Sequence, residues 1–208
     1  MPFHAVLFDL LTALLDSWSL WNAVAGSDEA GLRWRRAYLR LTYGAGAYRP
    51  YEDLVAEAAR TVGLPDTCAA DLVRRWPTLQ PWDDAAPMLN RLAERMPLGV
   101  VTNCSEALAR VAVERVGVPF AVVVSAERAG FYKPDPHPYQ LARQELGASA
   151  AHTLFVAGSA FDIGGASGVS MPVFWHNRLG LPAPPDAPQP LIESRTLAPL
   201  LELVVPRV

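Results

Sequence analysis

The chain has 208 residues, of which 51% are apolar and 19% are charged, and its 18 basic and 21 acidic side chains give a formal net charge of −3. This balance excludes a disordered chain, and the lack of a basic excess argues against a nucleic-acid partner. No apolar run approaches the ~18 residues that span a bilayer, and the first ten residues lack a signal-peptide pattern, so we expect no membrane partner. Two cysteines, Cys68 and Cys104, are too few for a disulfide framework and predict free thiols in a cytoplasmic protein.

Five short, continuous apolar runs predict buried strands, and helix-length segments separate the later ones. The runs occupy residues 5–8, 98–101, 121–124, 154–156 and 172–175, and the helical segments occupy residues 105–116, 136–146 and 161–169. Continuous rather than alternating apolar residues indicate strands that are covered on both faces. Because strands that alternate with helices are typical of parallel sheets, we predict an α/β fold with a five-stranded parallel sheet.

The long interval between the first two runs predicts an inserted helical subdomain. It contains helical patterns at residues 31–43, 50–62 and 69–76, and another at 83–95 that can cross over to the second strand. We therefore assign residues 17–82 to the insert, and residues 1–16 and 83–208 to the core domain. Residues 181–190 include five prolines and predict a stiff surface connection before a last helix near 196–204.

Polar side chains follow the predicted strands at the edge where a parallel sheet binds its ligands. They are Asp9, Thr102, Asn103, Lys133, Ser159 and Asp162, and Lys133 is the single lysine of the chain. Each of them alone is explained by a turn or a helix cap. Together they place carboxylates, a hydroxyl, an amide and an ammonium at one edge, and a carboxylate beside a lysine stays ionised, as a nucleophile must.

Four segments resemble the ordered motifs of the haloacid dehalogenase superfamily. They are FDLLTALLDS from Phe8, TN at Thr102, FYKPDPHPY from Phe131, and FVAGSAFD ending at Asp162. Their order and spacing, and the long insert after the first motif, extend the resemblance over essentially the whole chain. It implies a Rossmann-like sheet with a helical cap, and an aspartate nucleophile at Asp9 that forms a covalent intermediate.

Two departures distinguish this chain from the magnesium-dependent phosphatases of that superfamily. Leu11 occupies the position of their acid-base aspartate, and Gly158 that of an aspartate of their fourth motif. Magnesium requires oxygen ligands, so the loss of a carboxylate and of the proton donor leaves little phosphatase machinery. We therefore expect no metal and no cofactor, and a displacement at carbon in which the leaving group needs no proton from the enzyme.

The L-2-haloacid dehalogenase branch offers a more detailed resemblance. Trp34 and Arg35 match a tryptophan-arginine pair of the cap whose arginine binds the leaving halide. Helical spacing places Arg35 on an apolar face with Leu32 and Leu39, whereas the other arginines of this helix form a solvated stripe. An arginine among apolar neighbours needs an anion or a partner carboxylate, so a structural salt bridge to an acid of the core is the alternative.

The same comparison gives further matches and some mismatches around the pocket. Tyr139 matches a tyrosine of the dehalogenase site, and Phe161 matches an aromatic residue of its pocket. Ser159 stands where that branch has an asparagine, and Leu11 stands where it has an aromatic residue of the pocket. The threonine expected after the nucleophile is also displaced, because Ala13 aligns there and Thr12 lies one residue early. These changes affect the substrate more than the type of reaction.

The sequence supports one mechanism with several alternatives. Asp9 attacks carbon of a small 2-substituted carboxylate with help from Lys133, while either Arg35 or Asn103 lies near the leaving group. Thr102 and backbone amides hold the substrate carboxylate. Asp162 positions the water that hydrolyses the intermediate. The stretches DLLTALLDSW and LTYGAGAYRPYEDL also look similar to hydrolases that open azetidine-2-carboxylate, for which Asp16 or the tryptophans of the insert would face the cation. A phosphatase and a non-catalytic family member are further alternatives, and the resemblance implies a possible homodimer.

Overall fold

The computed structural model describes residues 3–204 and contains a six-stranded sheet in the order β3-β2-β1-β4-β5-β6, with parallel neighbours throughout. The strands are β1 (Ala5–Phe8), β2 (Leu98–Thr102), β3 (Val122–Ser125), β4 (Thr153–Ala157), β5 (Val173–His176) and β6 (Ile192–Ser194). The α/β fold with a parallel sheet is confirmed, but the expected number of five strands is wrong. β6 has only three residues and none is fully buried, so no apolar run marks it.

Side chains cover the sheet on both faces, as the continuous apolar runs require. Leu7 and Phe155 belong to a core cluster that packs against the helices on one face, whereas Val6, Phe8 and Val156 belong to the cluster on the other. All four residues of β1 are buried, because it lies between β2 and β4 in the middle of the sheet. The residue that follows β1 is therefore held at the centre of the molecule.

The described residues 3–204 contain ten α-helices. They are α1 (Ser17–Ala25), α2 (Asp28–Ala45), α3 (Tyr51–Thr61), α4 (Thr67–Arg75), α5 (Ala85–Ala93), α6 (Glu106–Val116), α7 (Ala126–Ala129), α8 (Pro136–Glu145), α9 (Phe161–Gly168) and α10 (Ala198–Val204). No helix among these residues combines the length and apolar character needed to cross a bilayer. Every predicted helix has a counterpart, whereas α1 and α7 were missed.

The local signals for α1 are present in the sequence. The side chain of Asp16 accepts a hydrogen bond from the backbone N–H of Ser19 at 3.1 Å, as an N-cap does, and Gly26 ends the helix with a φ of 86°. Residues 17–82 hold α1 to α4, which we call the helical insert. Its boundaries stay a prediction, and residues 1–2 and 205–208 of the predicted core segments lie outside the described residues.

The strand order creates a crevice next to β1. From β1 the chain moves outward through β2 and β3 on one side, and later through β4, β5 and β6 on the other. At such a reversal the loops after adjacent strands turn away from each other and leave room for a ligand. The segments that follow β1 and β4 flank this crevice: Asp9 directly follows β1, and Asp162 lies in the first turn of α9, after β4.

Candidate active site

Asp9, Lys133 and Asp162 form a buried chain of charges in the crevice. The ammonium of Lys133 lies 2.9 Å from Oδ1 of Asp9 and 3.1 Å from Oδ2 of Asp162. Lys133 and Asp162 are each 1% exposed and Asp9 is 6% exposed, so little water competes for these contacts. A single ammonium therefore fixes both carboxylates, and the three residues predicted as catalytic are brought together.

The surroundings separate the pKa values of the two carboxyl groups. Burial opposes ionisation of Asp9, but the Lys133 ammonium and the hydrogen bonds from Thr12 outweigh it and hold the pKa of Asp9 below its usual range. Burial raises the pKa of Asp162 to about 6, and the nearby charge of Asp9 acts in the same direction. Asp9 is thus a permanent carboxylate at neutral pH, whereas Asp162 is suited to accept a proton.

Thr12 contacts the nucleophile candidate although it lies one residue before the expected position. Its hydroxyl donates to Oδ2 of Asp9 at 2.6 Å and its N–H donates to the same atom at 3.0 Å, while the N–H of Ala13 lies 3.3 Å away. The turn after β1 bends so that residue 12 faces Asp9. The displacement seen in the sequence therefore does not remove the hydroxyl from the site.

Three side chains from different regions hold this turn by its carbonyl groups. Ser17 donates to the carbonyl of Leu11, Trp82 donates through Nε1 to that of Thr12 at 3.0 Å, and His176 bonds through Nδ1 to that of Ala13 at 2.8 Å. Because a carbonyl accepts, Nδ1 of His176 carries the proton. With its carbonyls pointing outward, the turn directs its N–H groups at Asp9. Sequence reasoning gave His176 no catalytic role, and its buried ring supports the loop instead.

The positions that carry phosphatase carboxylates in the wider superfamily have no such groups here. A Cβ at Gly158 would collide with the main chain of Thr12 and Ala13, so no side chain fits there. Leu11 is apolar and lines the cavity, and the ammonium of Lys133 lies between the two remaining carboxylates. These residues do not fit a magnesium site, which needs several oxygen ligands around the ion.

Arg35 is a buried cation on the helical insert, 6% exposed, and it faces the same cavity as Asp9. Its guanidinium lies 3.8 Å from the centre of the Trp18 ring and donates to Oγ of Ser17 at 2.9 Å, while its Nε has no hydrogen-bond partner. No carboxylate within residues 3–204 forms an ion pair with it, so the alternative of a structural salt bridge is not observed. A buried guanidinium without an anion is suited to bind one.

The cavity between the helical insert and the sheet has a volume of about 540 Å³. Of the ten predicted site residues, only Thr102 and Tyr139 are not among its walls. Asn103 lines it, and its side chain also holds the loop of Lys133: Oδ1 accepts from the N–H of Lys133 at 2.8 Å, and Nδ2 donates to its carbonyl at 3.0 Å. Ser159 and Phe161, which follow β4, also line it, and Phe161 is 49% exposed.

The expected contact of Thr102 with a substrate carboxylate does not fit its position. Thr102 is 1% exposed, and its hydroxyl lies 3.7 Å from Sγ of Cys104, because the end of β2 turns this side chain into the core. Tyr139 is also fully buried and packs edge-on against Phe155, and its hydroxyl has no partner among the described residues. Both lie behind the charged residues instead of on the wall of the cavity.

Two tyrosines of α2 that no sequence motif assigned to the site reach the core domain. Tyr43 donates to Oδ1 of Asp162 at 2.7 Å and packs on Phe161 with ring centres 5.3 Å apart. Tyr38 donates to the carbonyl of Asn103 at 2.8 Å. Their helical spacing from Arg35 was visible, but their partners depend on how the helical insert lies above the sheet.

Comparison with known proteins identifies the family. The model of the haloacid dehalogenase-like hydrolases matches residues 5–169, which include Asp9, Lys133 and Asp162. The chain belongs to this family. It is 31% identical to (S)-2-haloacid dehalogenase H-109 of Pseudomonas putida over 86% of this chain and 88% of that protein.

Solved structures of family members have the same architecture. L-2-haloacid dehalogenase from Xanthobacter autotrophicus is similar with a TM-score of 0.87 and 26% identity, over 99% of this chain and 100% of that chain. A dehalogenase solved with an intermediate complex is similar with a TM-score of 0.84 and 26% identity, over 99% of this chain and 98% of that one. The similarity of architecture therefore extends beyond residues 5–169, which the family model matches, to essentially the whole chain.

Proposed function

We propose that this hydrolase displaces a halide from a small L-2-haloacid through an ester on Asp9, without a metal. The observation that carries the proposal is that a buried carboxylate, Asp9, and a buried guanidinium, Arg35, line one cavity, and that Arg35 has no carboxylate partner among residues 3–204. Asp9 is the nucleophile, and Arg35 receives the anion that leaves. The similar proteins include (S)-2-haloacid dehalogenases and one solved with an intermediate complex, which supports this chemistry.

The first step forms a carbon–oxygen bond and breaks a carbon–halogen bond. A carboxylate oxygen of Asp9 attacks C2 of the substrate in line, and the electron pair of the broken bond leaves with the halide toward Arg35. Lys133 and Thr12 hold Asp9 in one orientation, so little reorganisation precedes attack. Because a halide leaves as a stable anion, the aliphatic side chain of Leu11 is sufficient where a phosphatase needs an acid.

The second step hydrolyses the ester and regenerates Asp9. Asp162 accepts a proton from a water molecule whose oxygen attacks the carbonyl carbon of the ester. The bond between that carbon and the substrate oxygen then breaks, the departing alkoxide takes the proton from Asp162, and the new carboxyl group of Asp9 loses its proton to solvent. One molecule of haloacid and one of water give a 2-hydroxy acid, a halide and a proton. The attack on C2 inverts its configuration and the hydrolysis leaves it unchanged, so an L-2-haloacid yields a D-2-hydroxy acid.

The azetidine-2-carboxylate alternative has no support from the residues expected to face a cation. Both carboxylate oxygens of Asp16 accept hydrogen bonds from Ser19, at 2.6 and 3.1 Å, and cap α1. The Trp18 ring is already stacked on the guanidinium of Arg35. A cationic ring would therefore meet an arginine where it needs a carboxylate or a free aromatic face.

The first test is substrate turnover by the purified protein. We expect chloride release from L-2-chloropropionate with D-lactate as the product, and much slower release from the D enantiomer. Ring opening of azetidine-2-carboxylate, or magnesium-dependent phosphate release from an aryl phosphate, in the absence of chloride release would replace the proposal by that alternative. Absence of all three activities, with a folded protein, would favour a non-catalytic family member.

The pH profile of kcat/KM should depend on Tyr43. A proton on Asp162 breaks its ion pair with Lys133, so activity should fall as the pH is lowered through about 6. The Tyr43 hydroxyl stabilises the charged form of Asp162, so Tyr43→Phe should raise that pKa and move the acid limb up by about one pH unit. Phenylalanine keeps the packing against Phe161.

The matched control for this prediction is Tyr48→Phe. Tyr48 also belongs to the helical insert, but it stacks on Tyr132 and does not line the cavity. The acid limb of the pH profile of Tyr48→Phe should coincide with that of the unchanged protein. If the profile of Tyr43→Phe coincides with it as well, the hydrogen bond to Asp162 has no role in setting the ionisation that activity requires.

We also propose a cytoplasmic enzyme that forms a homodimer. Both cysteines are free and buried, and free thiols are typical of reducing compartments, which supports the first part. The homodimer is implied by the resemblance to L-2-haloacid dehalogenases. Light scattering coupled to gel filtration, which gives the mass in solution against 22.6 kDa for one chain, tests it directly.

A further inference from the structure

The cavity carries more positive charge than a monocarboxylate substrate balances. Its charged lining residues are Asp9, Asp162, Arg35, Arg36, Arg40 and Lys133. They give a formal excess of two positive charges, because Lys133 is offset by one carboxylate, one arginine by the other, and two arginines remain. A haloacid with a single carboxylate would bring only one negative charge into this cavity.

Arg36 and Arg40 are the residues that the proposed chemistry does not use. They lie on α2 at the mouth of the cavity, both are exposed, and neither forms an ion pair or a side-chain hydrogen bond within residues 3–204. Arg33 lies on the same helix but faces away, and its guanidinium pairs with Glu29 at 2.8 Å. Of the four arginines of α2, the three that line the cavity are therefore those that form no ion pair with an acid in the described part of the chain.

The face of α2 that carries these arginines alternates charge with apolar surface. Leu32, Arg36, Leu39, Arg40 and Tyr43 all line the cavity, and their spacing of four, three, one and three residues follows one side of a helix. Leu32 and Leu39 provide apolar contacts between the charged groups. This pattern suits a ligand with an aliphatic middle and an anionic end.

The size of the cavity leaves room for such a ligand. A volume of about 540 Å³ lies within the range of roughly 300–1,000 Å³ that is typical of sites for drug-sized ligands. L-2-chloropropionate, with only six non-hydrogen atoms, is much smaller than such ligands. A small haloacid at Asp9 would leave the region beside Arg36 and Arg40 to solvent.

We infer that the preferred substrates are 2-halo dicarboxylates, in which a second carboxylate, separated from C2 by a short methylene chain, is bound by Arg36 and Arg40. This inference rests on the proposed function, because it places C2 next to Asp9. Two guanidinium groups suit a carboxylate, which can accept paired hydrogen bonds from their planar forks. The dianion would also match the excess charge of the cavity.

The test compares diacids with monoacids of equal chain length. We expect kcat/KM for L-2-chloroglutarate or L-2-chloroadipate to exceed that for the corresponding 2-chloro monoacid by about tenfold or more. In the double variant Arg36→Gln/Arg40→Gln the ratio of diacid to monoacid should fall toward one. The control Arg33→Gln, on the same helix but away from the cavity, should keep the ratio of the unchanged protein.

A binding measurement separates this inference from the proposed reaction. In Asp9→Asn, calorimetry should show tighter binding of 2-methylglutarate than of 2-methylpentanoate, which has the same chain length, and Arg36→Gln/Arg40→Gln in that background should abolish the difference. If this holds while no haloacid is turned over by the unchanged protein, the reaction is wrong and the diacid site stands. Equal kcat/KM or equal affinity for diacids and monoacids, or a preference that survives the double variant, would overturn the inference.

Discussion

Replacing Asp9 by asparagine is expected to reduce chloride release from L-2-chloropropionate by at least about a thousandfold. The amide of asparagine is a far weaker nucleophile than a carboxylate, and no other acid in the cavity occupies the same place. Asp162 is the other carboxylate that lines it, and its Oδ2 and Oδ1 are already bonded to Lys133 and Tyr43. Initial rates of chloride release, with a thermal melt to verify folding, give the measurement.

The control for Asp9→Asn is Asp66→Asn. Asp66 is exposed, precedes α4 in the helical insert and makes no side-chain cap hydrogen bond, so its variant should retain full activity. Substantial turnover by folded Asp9→Asn, beyond what slow deamidation back to aspartate produces, would contradict the assignment of the nucleophile.

Labelled water tests the covalent step in the unchanged protein. With excess enzyme in H₂¹⁸O, a single turnover should give lactate with ¹⁶O in its hydroxyl group, because that oxygen comes from the carboxylate of Asp9. The peptide that contains Asp9 should then carry ¹⁸O. Labelled lactate together with an unlabelled Asp9 would show direct attack by water and would remove the ester from the mechanism.

Replacing Lys133 by arginine is expected to preserve the fold and to lower kcat/KM by about a hundred- to a thousandfold. The ammonium is 1% exposed, lies within 3.1 Å of both carboxylates and is 5.6 Å from the centre of the Phe155 ring. A compact cation fits between two oxygens there, whereas a planar guanidinium is bulkier and directs its donors differently. Asp9 would lose its orientation although the charge is conserved.

The control for Lys133→Arg is an exchange between arginine and lysine at an exposed position. Arg74 pairs with Asp71 on the surface of α4 and its side chain is 71% exposed, so Arg74→Lys should leave kcat/KM within about twofold. Near-normal activity of Lys133→Arg would mean that any cation at this position suffices. Its unfolding temperature, measured beside that of Arg74→Lys, distinguishes a misplaced charge from a damaged core.

The charged centre of the site could be predicted because it depends on chain order and strand ends. Asp9 and Asp162 follow buried runs, and parallel strands bring their carboxyl ends to one edge whatever the details of the loops. The sequence also indicated Arg35, since a cation on an apolar helix face needs an anion. The motifs also showed that Leu11 and Gly158 lack the carboxylates that phosphatases of the superfamily carry at these positions. The structure adds that no side chain fits at Gly158.

The direction of individual side chains was less predictable. Thr102 belongs to a recognisable motif, yet its side chain is buried at the end of β2 and its hydroxyl lies 3.7 Å from Sγ of Cys104. Thr12 is one residue out of place in an alignment, yet the turn brings its hydroxyl to Asp9. A shift of one residue, or a small rotation of the backbone, changes which side chain faces the cavity, and neither is encoded in periodicity.

By itself, the sequence determined the α/β fold, the parallel sheet, helices between its first two strands and a carboxylate placed beside the single lysine, since these follow from local patterns and from strand order. Only the tertiary structure decided that Tyr43 reaches Asp162, that His176 and Trp82 hold the turn after β1, and that the cavity is lined by two arginines with no acidic partner among residues 3–204. These contacts join residues far apart in the chain, and they depend on the packing of the insert and of the late strands around β1.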